Sequence, residues 1–167
     1  YDVKHWGDGG ECLLEMEREA KVRMGQADRL LAITKVLVLS QGRDEWRLRY
    51  TLTNRDSQPF EGRFGVEFNV NLLAGDAHDR YPTIEGQEVR DRRLVGQEAH
   101  VGVTVFGLVD EWMQVRVGFE LSQPAMLWRS ALETVSTSEA GFERVYQGTT
   151  FLPHWPVNRA HGQTCHI

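Results

Sequence analysis

The sequence predicts an all-β, antiparallel sandwich. Apolar and polar residues alternate with a period of two in at least four segments, turn clusters separate those segments, and no segment has an unambiguous helical period. At 167 residues and 19.1 kDa, the chain suits one domain, 1–167, better than two.

In Glu45–Asn54, Trp46, Leu48, Tyr50 and Leu52 alternate with Arg47, Arg49, Thr51 and Thr53. That pattern gives a strand one core face, Trp46 included, and one polar face. Phe64, Val66, Phe68, Val70 and Leu72 predict a second such strand. Val101, Val103 and Val105 predict a third, and Val115, Val117, Phe119 and Leu121 a fourth. Leu30–Leu39 is apolar on both faces, as expected of a central strand. Turn clusters fall at Gln41–Asp44, Asn54–Pro59 and Ala74–Pro82. Glu11–Met24 fits a helix through Leu13, Met16, Ala20 and Met24, and fits strands equally through Cys12, Leu14 and Met16. Glu85–His100 carries mixed charges and reads as an exposed excursion between strands.

Lys plus Arg total 19 against 24 Asp plus Glu, a net charge of -5. That balance argues against a nucleic-acid partner, which calls for a basic face. No unbroken apolar run exceeds that of Val36–Leu39, so no membrane helix is predicted. No signal peptide opens the chain, which points to the cytoplasm. The start at Tyr1 reads as a fragment or a processed product. Cys12 and Cys165 cannot make a disulfide framework and are expected as free, buried or half-buried thiols.

No nucleophile elbow, phosphate loop or metalloprotease motif is present, so no catalytic residue and no cofactor is assigned. His161, Cys165 and His166 form a weak metal set, and Asp76, His78 and Asp79 read as a polar turn; neither predicts a metal. Glu67, Asn69 and Asn71 share one strand face and place hydrogen-bonding groups every ~6.6 Å, a spacing that suits sugar hydroxyls. An exposed indole adds a stacking platform. Trp128 and Trp155 lie beside polar or proline-rich stretches and are the exposed candidates, Trp128 first.

Glu133–Gln147 reads as two strands joined at a polar tip, Ser138–Gly141. An ion pair of Glu143 with Arg144 would tie the hairpin down, Gly141 would allow the reversal, and Phe142 and Tyr146 would anchor it. The set Ser136, Ser138, Glu139, Glu143, Arg144 and Gln147 is expected to be structural or docking rather than catalytic.

The stretch ETVSTSEAGFERVYQGTTFLPHWP, residues 133–156, resembles the C-terminal domain of alpha-amylase and 4-alpha-glucanotransferase type enzymes of glycoside hydrolase family 57. The motif residues are Thr134, Val135, Ser136, Ser138, Glu139, Gly141, Phe142, Glu143, Arg144, Tyr146 and Gln147, then Leu152, Pro153 and Trp155. Val66–Asn69, Leu72–Gly75, Asp79–Tyr81 and the pair LAITKVLVLS and WRLRYTLTN are also similar, so the likeness spans most of Leu13–Trp155. Ala140 stands where the family has Gly. The resemblance implies a galactose mutarotase-like supersandwich, and it favours two short strands in Glu11–Met24, broken before Val22. It also implies a parent enzyme acting on alpha-1,4-glucans, whose catalytic carboxylates sit in a separate N-terminal barrel. This chain would then be a non-catalytic accessory domain with that barrel as partner and alpha-1,4-glucan as a candidate ligand. The alternatives are a mutarotase-type aldose epimerase, pairing Glu67 with His78 or His100 as acid and base, and a purely structural interaction module.

Overall fold

The structure is a computed structural model that describes residues 2–138 and 141–167. It is all-β and antiparallel, with eleven strands and no helix among the described residues, consistent with the expected sandwich class. No helix there is long and apolar enough to cross a membrane. The contacts cluster into two compact units, Tyr1–Arg63 with Pro156–Ile167, and Phe64–Trp155.

The first unit carries a five-stranded sheet in the order β1-β2-β3-β4-β11. These strands are β1 (Asp2–Asp8), β2 (Glu11–Met24), β3 (Ala27–Ser40), β4 (Trp46–Asn54) and β11 (Thr164–His166). Two-residue loops at Gly9-Gly10 and Gly25-Gln26 close the first two hairpins, where left-handed glycines match the strand twist. β2 is one continuous strand, not the two short ones expected. Its ladder with β3 runs unbroken from Glu11 opposite Ser40 to Met24 opposite Ala27. A partner strand along its full length satisfies the backbone groups on that edge throughout, and that outweighs the irregular side-chain pattern. Leu31, Ala32 and Leu52 are buried at the centre of this sheet. Trp46 is 76% exposed, not buried as its alternation suggested, because it opens β4 opposite Leu39 at the far end of the ladder, well away from Leu52. Cys12 and Cys165 are free, the first half-buried and the second buried. They lie on β2 and β11, three strands apart in the sheet, too far for a bridge.

The second sheet runs β5-β10-β9-β8-β7, with β6 also paired to β10. Its strands are β5 (Phe60–Gly65), β6 (Phe68–Val70), β7 (Arg80–Ile84), β8 (Glu98–Asp110), β9 (Val115–Ser138) and β10 (Gly141–Arg159). The single strand expected through Phe64–Leu72 is therefore split. After β6 the chain turns away: Asn71 Oδ1 accepts the Leu73 N–H at 2.6 Å, and Leu73 and Ala74 have φ of 58° and 38°. Gly75 follows, buried so tightly that a Cβ there would sit 2.7 Å from the Tyr146 ring and from Val95. Only glycine lets the backbone approach so closely.

The core of the Phe64–Trp155 unit is Ile84, Leu94, Val103, Phe106, Leu108, Leu127 and Phe151. Phe106 stacks on Phe119 at 4.9 Å and meets Phe151 at 5.0 Å. Trp155, an exposed candidate by sequence, is instead 6% exposed and reaches the Gln123 carbonyl through Nε1. It alternates with the buried Phe151 and Pro153, so its face is set by strand parity rather than by its polar neighbours.

Candidate functional site

Strand register brings the predicted sugar contacts onto one side of one sheet. Asn69 pairs with Thr150 on β10, and Thr150 with Ser130 on β9. Trp128 pairs with Leu152, and the Val66 N–H bond to the Pro153 carbonyl frames Glu67 opposite the same leucine. Glu67, in the link between β5 and β6, Leu152 on β10 and Trp128 on β9 thus form a row about 10 Å from end to end at ~4.8 Å per strand. Trp128 is 50% exposed, and its indole meets the edge of the His154 ring at 4.6 Å and 69°, which holds it upright. Glu67 and Asn69 are exposed but tied together: Asn69 Nδ2 donates to Glu67 at 2.8 Å and Asn69 Oδ1 accepts from Thr150 at 2.6 Å. Asn71 is exposed too, and its carbonyl closes the turn onto Leu73.

The β9–β10 hairpin forms as expected, with Gly141 at φ 117° where the chain reverses. Glu139 and Ala140 lie outside the described residues, and Ser138 closes β9 through its backbone. A bulge at Gln147 separates the pairs Tyr146–Glu133 and Gly148–Leu132, and Gln147 Nε2 donates to Thr134 Oγ1 at 3.3 Å. Arg144 pairs with Glu133 at 3.2 Å, not with Glu143. Successive residues on a strand point to opposite faces, so residues 143 and 144 cannot meet as expected, whereas Glu133 sits diagonally across on the same face. Phe142 does not anchor the hairpin: it is 82% exposed. Tyr146 does pack against the core, and its hydroxyl shares a hydrogen bond with Thr149 Oγ1 at 2.8 Å. Beyond the bulge, Thr134–Thr137 and Gly141–Val145 are exposed on both faces of the two-stranded arm, with Ser136 and Glu143 on one face and Val135, Phe142 and Arg144 on the other.

The Glu85–His100 excursion is exposed along its charged rim, yet it is pinned from below by a residue that sequence reasoning did not single out. Arg129 of β9 is fully buried, and its guanidinium donates to the carbonyls of Asp91 at 2.8 Å, Arg93 at 2.9 Å and Gly96 at 3.0 Å. Burial pushes its pKa down, opposed by the nearby Glu98 and Asp91 carboxylates. An arginine at an inward strand position is the only signal that could have flagged it. His100 is held between Gln87 at 3.1 Å and Glu98 at 2.9 Å.

A cleft of about 390 Å³ opens beside this excursion, lined in part by Asp76, His78, Tyr81, Arg92, Arg93 and Glu111. Tyr81 donates to Glu111 at 2.9 Å, which raises the phenol pKa, and the Arg92 guanidinium lies 4.2 Å from the Tyr81 ring centre. Arg93 grips Asp91 through two hydrogen bonds of 3.0 and 2.8 Å, which hold the Asp91 pKa down to about 2. Among the described residues no group of three or more His, Cys, Asp or Glu side chains could hold a metal ion. His161 is engaged by the Asp56 carbonyl and His166 by Thr51.

The strand order and antiparallel ladders define an all-β chain carrying a polar sheet face, an exposed hairpin arm and a cleft. Residues 3–167 match the family described as alpha-amylase/4-alpha-glucanotransferase, C-terminal. The chain belongs to that family. Over 155 residues it is 30% identical to Alpha-amylase 1 of Dictyoglomus thermophilum, covering 89% of this chain and 21% of that protein. The crystal structure of 4-alpha-glucanotransferase from Thermococcus litoralis shares the fold over 98% of this chain and 21% of that one, with a TM-score of 0.62 and 18% identity. The chain therefore spans 21% of the length of each of these relatives.

Proposed function

We propose that the chain serves as a non-catalytic accessory domain of an alpha-glucan-processing enzyme of the glycoside hydrolase family 57 type, and that it holds the catalytic barrel through the β9–β10 arm. The arm is the observation that carries this reading. A two-stranded ribbon is marginal in water unless a face is covered. Here Val135 and Phe142 are exposed on one face and Val145 on the other. Apolar side chains on both sides of an arm call for a partner, and this chain spans only 21% of the length of its relatives. Hydrogen–deuterium exchange tests it. Amides of residues 134–137 and 141–145 exchange quickly in this chain alone and become protected in the longer polypeptide that includes the barrel. Equal exchange in both would remove the arm as the docking element.

The sheet face with Glu67, Asn69, Asn71 and Trp128 supports weak contact with alpha-1,4-glucan as a secondary role. The shared face and the upright indole favour it. Net hydrogen bonds to neutral hydroxyls contribute only ~0.5–1.5 kcal/mol each, so affinity is low. The epimerase alternative has less support: His100 engages both ring nitrogens, and Glu67 already accepts from Asn69. A polarimeter trace showing that the chain speeds glucose anomerisation would restore it.

A further inference from the structure

We infer that the cleft between the Asp76–Tyr81 segment, Arg92 and Glu111 is a binding subsite for a neutral gluco-oligosaccharide, separate from the sheet face that carries Trp128. The inference rests on the reading of the chain as part of a glucan-processing enzyme, and adds to it a place and a set of recognising groups.

The cleft has the size of a small-molecule site, which typically encloses ~300–1,000 Å³. Its lining selects the chemistry of the ligand. The charges of Arg92 and Arg93 are balanced by those of Asp76 and Glu111, so neither a polyanion nor a cation is favoured. Tyr81, with Arg92 over its ring, and Ala77 give the cleft apolar surface beside its charged groups. A pyranose ring presents the same pairing, an apolar C–H face rimmed by hydroxyls that donate and accept. Arg92 has no carboxylate partner among the described residues: it lies over the Tyr81 ring and hydrogen-bonds that phenol, and a guanidinium with five N–H donors has others to offer a ligand. Glu111 accepts from Tyr81 through Oε1 and keeps a second oxygen, and Asp76 lies 3.8 Å from Arg93 on an exposed edge. Each sugar hydroxyl both donates and accepts, so neighbouring hydroxyls can bridge a guanidinium and a carboxylate at once.

The groups are also held in place before any ligand arrives. Arg93 is clamped on Asp91, and the main chain between them is pinned from beneath by Arg129. Arg92 lies between those pinned carbonyls and is stacked on Tyr81, which is fixed in turn by Glu111. The Glu111 N–H bonds to the Asp79 carbonyl at 2.9 Å, joining the two walls. Side chains fixed this way lose little entropy on binding, so a shallow cleft can still hold a sugar.

The test uses this chain and maltoheptaose as the probe. Titration followed by backbone amide shifts should move residues 76–81, 92–93 and 111. In a native gel containing amylopectin, Arg92→Ala and Glu111→Gln should each weaken retardation about tenfold, the lower end of the scale expected for losing a hydrogen bond to a charged group. Trp128→Ala should leave the shifts around the cleft unchanged. Perturbation confined to Trp128 and its neighbours, retardation unaffected by both cleft variants, or no shift at high maltoheptaose would each overturn the inference. The amide shifts need no variant, so a misfolded mutant does not decide the matter. Failure here leaves the exchange protection of the arm untouched, and loss of that protection leaves the titration untouched.

Discussion

The two ends of the β9–β10 ribbon obey the same backbone rules and have opposite environments. At the base, Leu127, Arg129, Thr149 and Phe151 are buried under the core and the charged excursion. Beyond the Gln147 bulge, Val135, Phe142 and Val145 stand in solvent. The ladder hydrogen bonds continue through both halves, so pairing does not distinguish them. Burial does. The base is held by packing, whereas the tip adds to its ladder exposed local pairs such as Arg144 with Glu133 and Gln147 with Thr134. Stability should therefore reside at the base and docking at the tip.

The largest effects should come from the base. Phe151→Ala should cost about 3–5 kcal/mol, because the ring meets Phe106 and Phe119 in a fully buried site. Arg129→Met should cost on a similar scale, about 3–5 kcal/mol, because it leaves the carbonyls of Asp91, Arg93 and Gly96 buried without their donor. Urea denaturation measures both. A loss below about 1 kcal/mol for Arg129→Met would mean that the excursion does not depend on that guanidinium.

Much of this contrast was legible in the sequence, and the exceptions have physical causes. The alternation in Glu45–Asn54 and the apolar run Leu30–Leu39 became β4 and the central β3, and the turn at Gly141 fell where the polar tip put it. Period-2 alternation reports which side chains share a face, not whether anything covers that face. Trp46 and Phe142 were misjudged for that reason, the first at a ladder end and the second on an arm with nothing over it. Arg129 was missed because an inward arginine resembles a register slip until the loop that wraps it is known. At the sites, parity along one strand placed Glu67 and Asn69 on one face, but only cross-strand register could align them with Trp128. The cleft draws on three separated stretches of chain, and no spacing within any one of them announces it.

A middle-sized effect should appear in acid. The Asp91 carboxyl is held at about pH 2 chiefly by its hydrogen bonds to Arg93, below the ~3.9 of an unfolded aspartate. A lowered folded pKa means that the unfolded chain takes up the proton first. The stabilisation is therefore complete above about pH 4 and is lost as pH falls through 2. Glu98 is shifted the same way: burial raises its pKa, but the Asp91 N–H and His100 outweigh that. The urea midpoint should fall between pH 4 and pH 2, and Asp91→Asn should make that fall shallower. An unchanged slope in the variant would show that the clamp on Arg93 does not stabilise the excursion.

The smallest effects should come from the tip. Glu143 and Arg144 point to opposite faces of the arm, and Arg144 is largely exposed beside Glu133. Exposed pairs of this kind contribute ~0–1 kcal/mol, because solvent screens the charges and two long side chains must be ordered. Glu143→Ala and Arg144→Ala should each change the stability of this chain by less than about 0.5 kcal/mol. A double-mutant cycle of Glu133 with Arg144 should give a coupling of only a few tenths of a kcal/mol. The same Glu143→Ala change should reduce exchange protection of the arm in the longer polypeptide, since a group without a structural task here is available to a partner there. A loss above about 2 kcal/mol in this chain alone would place Glu143 in an internal network and end the docking reading of the arm.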